Sequence, residues 1–148
     1  MDINAIILAA GKGTRMKSKT SKVLHEVLGK PMISYVVEVL DEIKVRRKIV
    51  VVNQDHAWFH DMFSGTAEYV VQHEQLGTGH AVKVTAPLLG DKTGITLVVC
   101  GDTPLITAET LLRLIETHIN NNAWVTVLST IKSSPTNYGR IIRNCFDN

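Results

Sequence analysis

Cysteine is scarce: Cys100 and Cys145 are the only two in 148 residues. They lie far apart, form no CxxC pair and have no histidines clustered at zinc-ligand spacing, which excludes a disulfide framework and a zinc module and suits a reducing cytosol. An excess of one charge is also missing. Lysine and arginine total 16 against 14 acidic residues, a net charge of +2, too weak a field for a nucleic-acid partner, so any bound anion must be met by local groups. Long apolar runs are absent too. Residues 3–10 are largely apolar but only eight long and follow Asp2, so they form neither a signal peptide nor a membrane span, and a cytoplasmic protein without membrane association is expected. Repeats, low-complexity tracts and internal linkers are not found. What is present is 45% apolar residues, enough for the core of one compact domain and too little chain for two.

Short β-rich apolar runs alternate with segments of helical period, the pattern of a mostly parallel sheet flanked by helices. Residues 5–10 read as a buried first strand that stops at Gly11-Lys12-Gly13, where glycine permits a turn. From Pro31, expected as the first helical residue, Ile33, Val36, Val37, Leu40 and Ile43 fall on one helical face. Residues 48–53 (KIVVVN) and 67–72 (AEYVVQ) read as strands, with a short helix over 55–63 between them. Residues 78–89 suggest a helix whose end Pro87 disturbs, and 95–100 (ITLVVC) a central parallel strand ending at Gly101-Asp102. Thr107 is a plausible N-cap for a helix to about Asn120 with Leu111, Leu112, Ile115 and Ile119 inward. Residues 124–131 (WVTVLSTI) are expected to return as a strand, and another begins over 140–143. In open α/β sheets ligands bind beyond the carboxyl ends of the strands, so Gly11, Gly101 and the loop after Gln72 point at one crevice.

The stretch 8–16 (LAAGKGTRM) sets two glycines directly after a strand, with Lys12, Arg15 and later Lys22 supplying positive charge. Freed backbone N–H groups can cradle phosphates, while Arg15 offers a planar fork and Lys22 a point charge, both expected to face solvent. It is neither a Walker loop nor a dinucleotide fingerprint, because Met16 occupies the third glycine position of GxGxxG. Taken alone, the pattern equally describes a glycine-rich turn with solvated lysines. Asp102 ends an apolar strand, where a carboxylate must be hydrogen-bonded, paired or metal-bound. One carboxylate beside a phosphate loop suits Mg²⁺, which keeps waters and takes substrate phosphates; alone, Asp102 also reads as a cap of the turn before Pro104. His56 and His60 have metal-pair spacing but no evident third ligand. Cys100 reads as a core thiol, and Trp58, Phe59 and Phe63 as packing residues.

Together these motifs resemble the bacterial N-acetylglucosamine 1-phosphate uridylyltransferase family, the first half of bifunctional enzymes commonly called GlmU. The resemblance spans essentially the whole chain and rests on LAAGKGTRM at 8–16, KVLH at 22–25, Gln72 with EQLGTGHA at 74–81, Gly101-Asp102 with Pro104-Leu105, and YGR at 138–140. It implies a Rossmann-like α/β fold of the nucleotide-diphospho-sugar transferase type, here the N-terminal portion of that domain. It implies Mg²⁺-dependent transfer of uridylyl from UTP to N-acetylglucosamine 1-phosphate, giving UDP-N-acetylglucosamine and pyrophosphate for peptidoglycan and lipopolysaccharide precursors. Leu8, Ala9, Ala10 and Gly11 would contact uridine and phosphates. Gln72, Gly77 and Thr78 would read uracil, and Gly139 would border the amino sugar. Arg15 and Lys22 would meet the phosphates as catalytic cations, Gly101 and Asp102 would bind substrate, and Asp102 would also hold the metal.

Three departures from the family pattern stand out. Ser21 replaces the usual proline before Lys22, implying a less constrained loop. Cys100 stands where tyrosine is common. The chain also ends at Asn148, before the family's further sugar-binding residues, its second metal ligand and the β-helix that carries acetyl transfer and trimerisation. Neither acetyltransferase activity nor a trimer is therefore expected, and uridylyl transfer by these 148 residues is expected to be weak or lost. The competing readings are a transferase making another nucleotide sugar or a cytidylyl product, and a noncatalytic nucleotide-binding fragment.

Overall fold

The computed structural model describes residues 2–11, 20–90, 94–136 and 138–142. The chain divides into two compact units, Met1–Leu112 and Arg113–Asn148.

In the first unit, β1 (Ile3–Leu8) is apolar apart from Asn4 and buried on both faces, as a strand covered on two sides must be. Strands β4 (Arg47–Val52), β5 (Glu68–Val71) and β6 (Ile95–Cys100) join it in an all-parallel sheet of order β5-β4-β1-β6. Ile6 lies opposite Ile49 on one side and Val98 on the other, and Val50 opposite Tyr69. The sequence suggested a central position for β6. Instead it ends the sheet among the described strands, with Ile95, Leu97 and Val99 buried and Thr96, Val98 and Cys100 exposed. Continuous apolarity could not reveal that only one of its faces is covered.

Helix α1 (Met32–Glu42) buries Ile33, Val36, Val37 and Leu40 at the predicted spacing. Pro31 is its N-cap, with extended backbone, rather than its first residue. Proline also belongs to a small antiparallel hairpin that the sequence reading missed, β2 (Glu26–Val27) with β3 (Lys30–Pro31). Its two loop residues, Leu28 and Gly29, both have positive φ, as a type I′ turn requires.

Helix α2 (Ala57–Phe63) buries Phe59 and Phe63, while His56 and His60 pack against Tyr69 at 5.1 and 5.3 Å between ring centroids. The single helix expected over 78–89 is two, α3 (Thr78–Lys83) and α4 (Ala86–Leu89). Pro87 has no N–H to give the Lys83 carbonyl and its ring crowds that oxygen, so the first helix stops there. The wholly buried Thr85 bridges the break by donating its hydroxyl to Val82 O at 2.7 Å. Ala81 packs with Ile6, Ala10 and Val51, which fixes α3 over the carboxyl ends of β1 and β4.

Helix α5 (Ala108–Asn120) starts at the expected cap, the Thr107 hydroxyl accepting the Thr110 N–H at 3.2 Å. Leu111 and Ile115 are buried, but Leu112 and Ile119 are each half exposed, so the inward stripe is narrower than predicted. In the second unit His118 Nδ1 meets Thr126 Oγ1 at 2.9 Å. The strands expected over 124–131 and from 140 are not formed among the described residues. Alternating β-prone residues make a strand only where a neighbour supplies the ladder hydrogen bonds, and none of the described strands pairs with them. Arg143 lies outside the described residues.

Candidate functional site

A cleft of about 300 Å³ opens beyond the carboxyl ends of β1, β5 and β6, lined by Leu8, Ala9, Ala10 and Gly11, by Lys22, by Gln72, Gly77 and Thr78, and by Asp102. These residues come from four separate stretches of sequence, and each stretch was predicted to belong to one site. After β1 the backbone stays in the sheet for one more bond, Ala9 N–H to Val51 O at 2.9 Å, so Ala9 and Ala10 remain buried before the chain emerges at Gly11. Their side chains end at Cβ and take little room from the cleft. Arg15 lies outside the described residues, as do Lys12, Gly13 and Cys145.

Gly101 does not line the cleft. It donates its N–H to Leu8 O at 2.9 Å, and a Cβ there would stand 3.2 Å from both Leu8 O and a Val23 methyl. Glycine at this position permits the close approach of two strand ends. Gly139 belongs to the second unit, where it is exposed.

Lys22 sits in a single 3-10 turn, Lys22–Leu24, whose buried Val23 anchors it under the cleft. Ser21 before it has φ −52°, within the range a proline ring would impose, so serine leaves the backbone direction unchanged. Lys22 Nζ donates to Asp102 Oδ2 at 2.5 Å, with the two side chains 43% and 28% exposed. The expectation that Asp102 needs a partner is met by this lysine, which is therefore not simply solvent-facing as the sequence suggested. A half-exposed pair of this kind is worth about 1 kcal/mol or less, so each partner is free to exchange the other for a stronger counter-ion.

Cys100, read from sequence as a core thiol, is exposed on β6 and lines the cleft. Its thiol is pushed up, first by partial desolvation and then by the Asp102 carboxylate, with Lys22 pulling the other way. Gln75 also lines the cleft and donates its amide N–H to Ala10 O, tying the loop after β5 to the loop after β1. It lies within the EQLGTGHA motif, whose selectivity was the available signal for it.

Gln72 is 96% buried at the end of β5, its own N–H bonded to Val52 O at 2.8 Å. Its side-chain nitrogen lies 3.1 Å from Gly77 O and 3.0 Å from His80 Nδ1. Gly77 has φ +101°, a conformation that favours glycine and turns the chain from this contact into α3.

A cleft at strand carboxyl ends, lined by small residues and edged by a cation and a carboxylate, suits a phosphorylated ligand. Residues 5–144 match the family model described as the MobA-like NTP transferase domain. The chain belongs to that family. Within it, this NTP transferase domain is 56% identical over 143 residues to the bifunctional protein GlmU of Exiguobacterium sp. (strain ATCC BAA-1283 / AT1b), covering 97% of the chain and 32% of that protein. It thus spans about a third of the length of the curated relatives it matches. Among solved structures, UDP-glucose pyrophosphorylase from Acinetobacter baumanii superposes with a TM-score of 0.72 at 22% identity, over 83% of this chain and 54% of that one. Rv0371c of Mycobacterium tuberculosis H37Rv in complex with manganese gives 0.64 at 18% identity, over 79% and 59%. These likenesses place the domain in the Rossmann-like α/β fold expected from its sequence.

Proposed function

We propose that this chain provides the nucleotide site for transfer of a uridylyl group from UTP to N-acetylglucosamine 1-phosphate, yielding UDP-N-acetylglucosamine and pyrophosphate. The observation that carries the reading is the convergence of the post-β1 loop, Lys22, the Gln72–Gly77–Thr78 segment and Asp102 on one cleft. Relatives named for bifunctional GlmU at up to 56% identity support the sugar-nucleotide assignment.

In this reading Leu8, Ala9, Ala10 and Gly11 bring backbone against the nucleoside and its phosphates, while Gln72, Gly77 and Thr78 take the uracil edge. Lys22 and Arg15 meet phosphate oxygens and the charge that develops on them. Mg²⁺ accepts one carboxylate when substrate phosphates and water complete its shell. Asp102 would hold it, and the bound ion would neutralise phosphate charge during in-line attack of the sugar phosphate oxygen on the α-phosphorus. Opening the Lys22–Asp102 pair frees the lysine for phosphate and the carboxylate for metal at small cost.

A site built for the uracil edge rejects adenine by leaving buried polar groups unpaired, about 1–3 kcal/mol for each. Calorimetric titration of the chain with UTP and with ATP, both in Mg²⁺, is expected to show at least tenfold tighter binding of UTP. Equal affinities would remove the uridine assignment.

A further inference from the structure

We infer that His80 is a positioning residue for base selection, holding the Gln72 side chain so that only its carbonyl end is offered to the nucleobase. This rests on the cleft being the uridine site.

The orientation of a glutamine amide is decided by its partners. A backbone carbonyl can only accept, so the Gln72 atom 3.1 Å from Gly77 O is the amide nitrogen. That nitrogen carries two hydrogens and no acceptor capacity. Its other neighbour is His80 Nδ1 at 3.0 Å, which must then present a lone pair, placing the proton of the neutral ring on Nε2. With both hydrogens engaged, the function of the Gln72 side chain left without a partner among the described residues is Oε1, an acceptor. Uracil carries a donor, N3–H, in the middle of its pairing edge, whereas cytosine carries an N3 lone pair at the same place. An acceptor matches the first and opposes the second. Glutamine by itself discriminates nothing here, because a flip of the amide exchanges donor for acceptor. Discrimination comes from the two acceptors that forbid the flip, and His80 supplies one of them from the first turn of α3, without itself lining the cleft.

The consequence is that uracil-over-cytosine selectivity depends on a residue that touches neither base nor phosphate. Asparagine at position 80 can set its Oδ1 where Nδ1 stands and accept the same hydrogen; leucine cannot accept at all.

The test measures Kd for UTP and CTP by calorimetry on the whole chain, for the wild type, His80→Leu and His80→Asn. The wild type is expected to favour UTP, His80→Leu to lose about three- to tenfold of that ratio, as one hydrogen bond warrants, and His80→Asn to restore it. An unchanged ratio in His80→Leu, or an Asn variant no more selective than the Leu variant, overturns the role of His80 while leaving the uridine site intact. A wild type that binds both nucleotides equally overturns the uridine reading and this inference together. One further readout needs no variant. In the nucleotide-free wild type both Gln72 side-chain amide protons should exchange with water slowly in NMR, and exchange at the rate of free glutamine would overturn the inference.

Discussion

Asp102, Lys22 and Cys100 form a small electrostatic group at the cleft mouth, and each changes how the others behave. Burial and the Asp102 carboxylate both favour the protonated Cys100 thiol, while Lys22 favours the thiolate. The folded chain therefore holds the thiol proton more tightly than the unfolded chain does. The resulting stabilisation is present below the unfolded thiol pKa and is lost as pH rises through the folded value. Thiolate is the reactive form, so in a Cys145→Ser background alkylation by iodoacetamide is expected to lag behind that of a free thiol at neutral pH and to climb only in more alkaline solution. Asp102→Asn removes a cause that raises the pKa and should speed alkylation at a fixed pH near 8, whereas Lys22→Ala removes the opposing cause and should slow it. A pH–rate profile for the three proteins checks both signs; identical profiles would mean that the Asp102–Lys22 pair does not sense the sulfur. Lys22 and Asp102 were legible as candidates in the sequence, but Cys100 read as a core thiol, because a run of apolar residues does not disclose which alternate positions are exposed on a strand that ends the sheet among the described residues.

Among the elements, the hairpin of β2 and β3 shows what local sequence can and cannot announce. Its turn needs positive φ at two successive residues, for which Asn-Gly is the favoured pair, and here the pair is Leu28-Gly29. Leucine carries no turn signal and is strained by a φ of +51°, while its side chain is 97% exposed and contributes no packing. Leu28→Asn should therefore raise stability by about 1 kcal/mol, the cost of placing an ordinary side chain in the left-handed region. Urea unfolding is the measurement, and a variant no more stable than the wild type would contradict the turn assignment. The parallel strands were easier to read. Residues such as Ile6 and Val50 are buried on both sides of the sheet, so composition alone marks them, and glycine ends the β1 and β6 runs. The break between α3 and α4 was half legible, since Pro87 signalled a disturbance but not that the helix would stop four residues earlier. The stretch over 124–131 had the alternation of a strand and lacked the one thing that sequence pattern does not contain, a pairing neighbour.

For the molecule as a whole, the cleft is a product of topology. Parallel strands bring every carboxyl end to the same edge of the sheet, so residues 8–11, 72–78 and 102 meet although they are scattered along the chain. That is why motif spacing could bring these stretches to one cleft from the sequence alone, while the contact of Gly101 with Leu8 O and Val23 depends on the packing of two strand ends. The proposed function requires Mg²⁺-UTP to bind in that cleft. Titration of the ¹⁵N-labelled chain with Mg²⁺-UTP, followed by ¹H–¹⁵N NMR, tests it most directly. The predicted result is saturable shift changes centred on the amides of Gly11, Gln72, Gly77, Thr78 and Asp102 and on the Gln72 side chain, weaker or absent with Mg²⁺-ATP. Saturable changes centred elsewhere, or none at these residues, would contradict it.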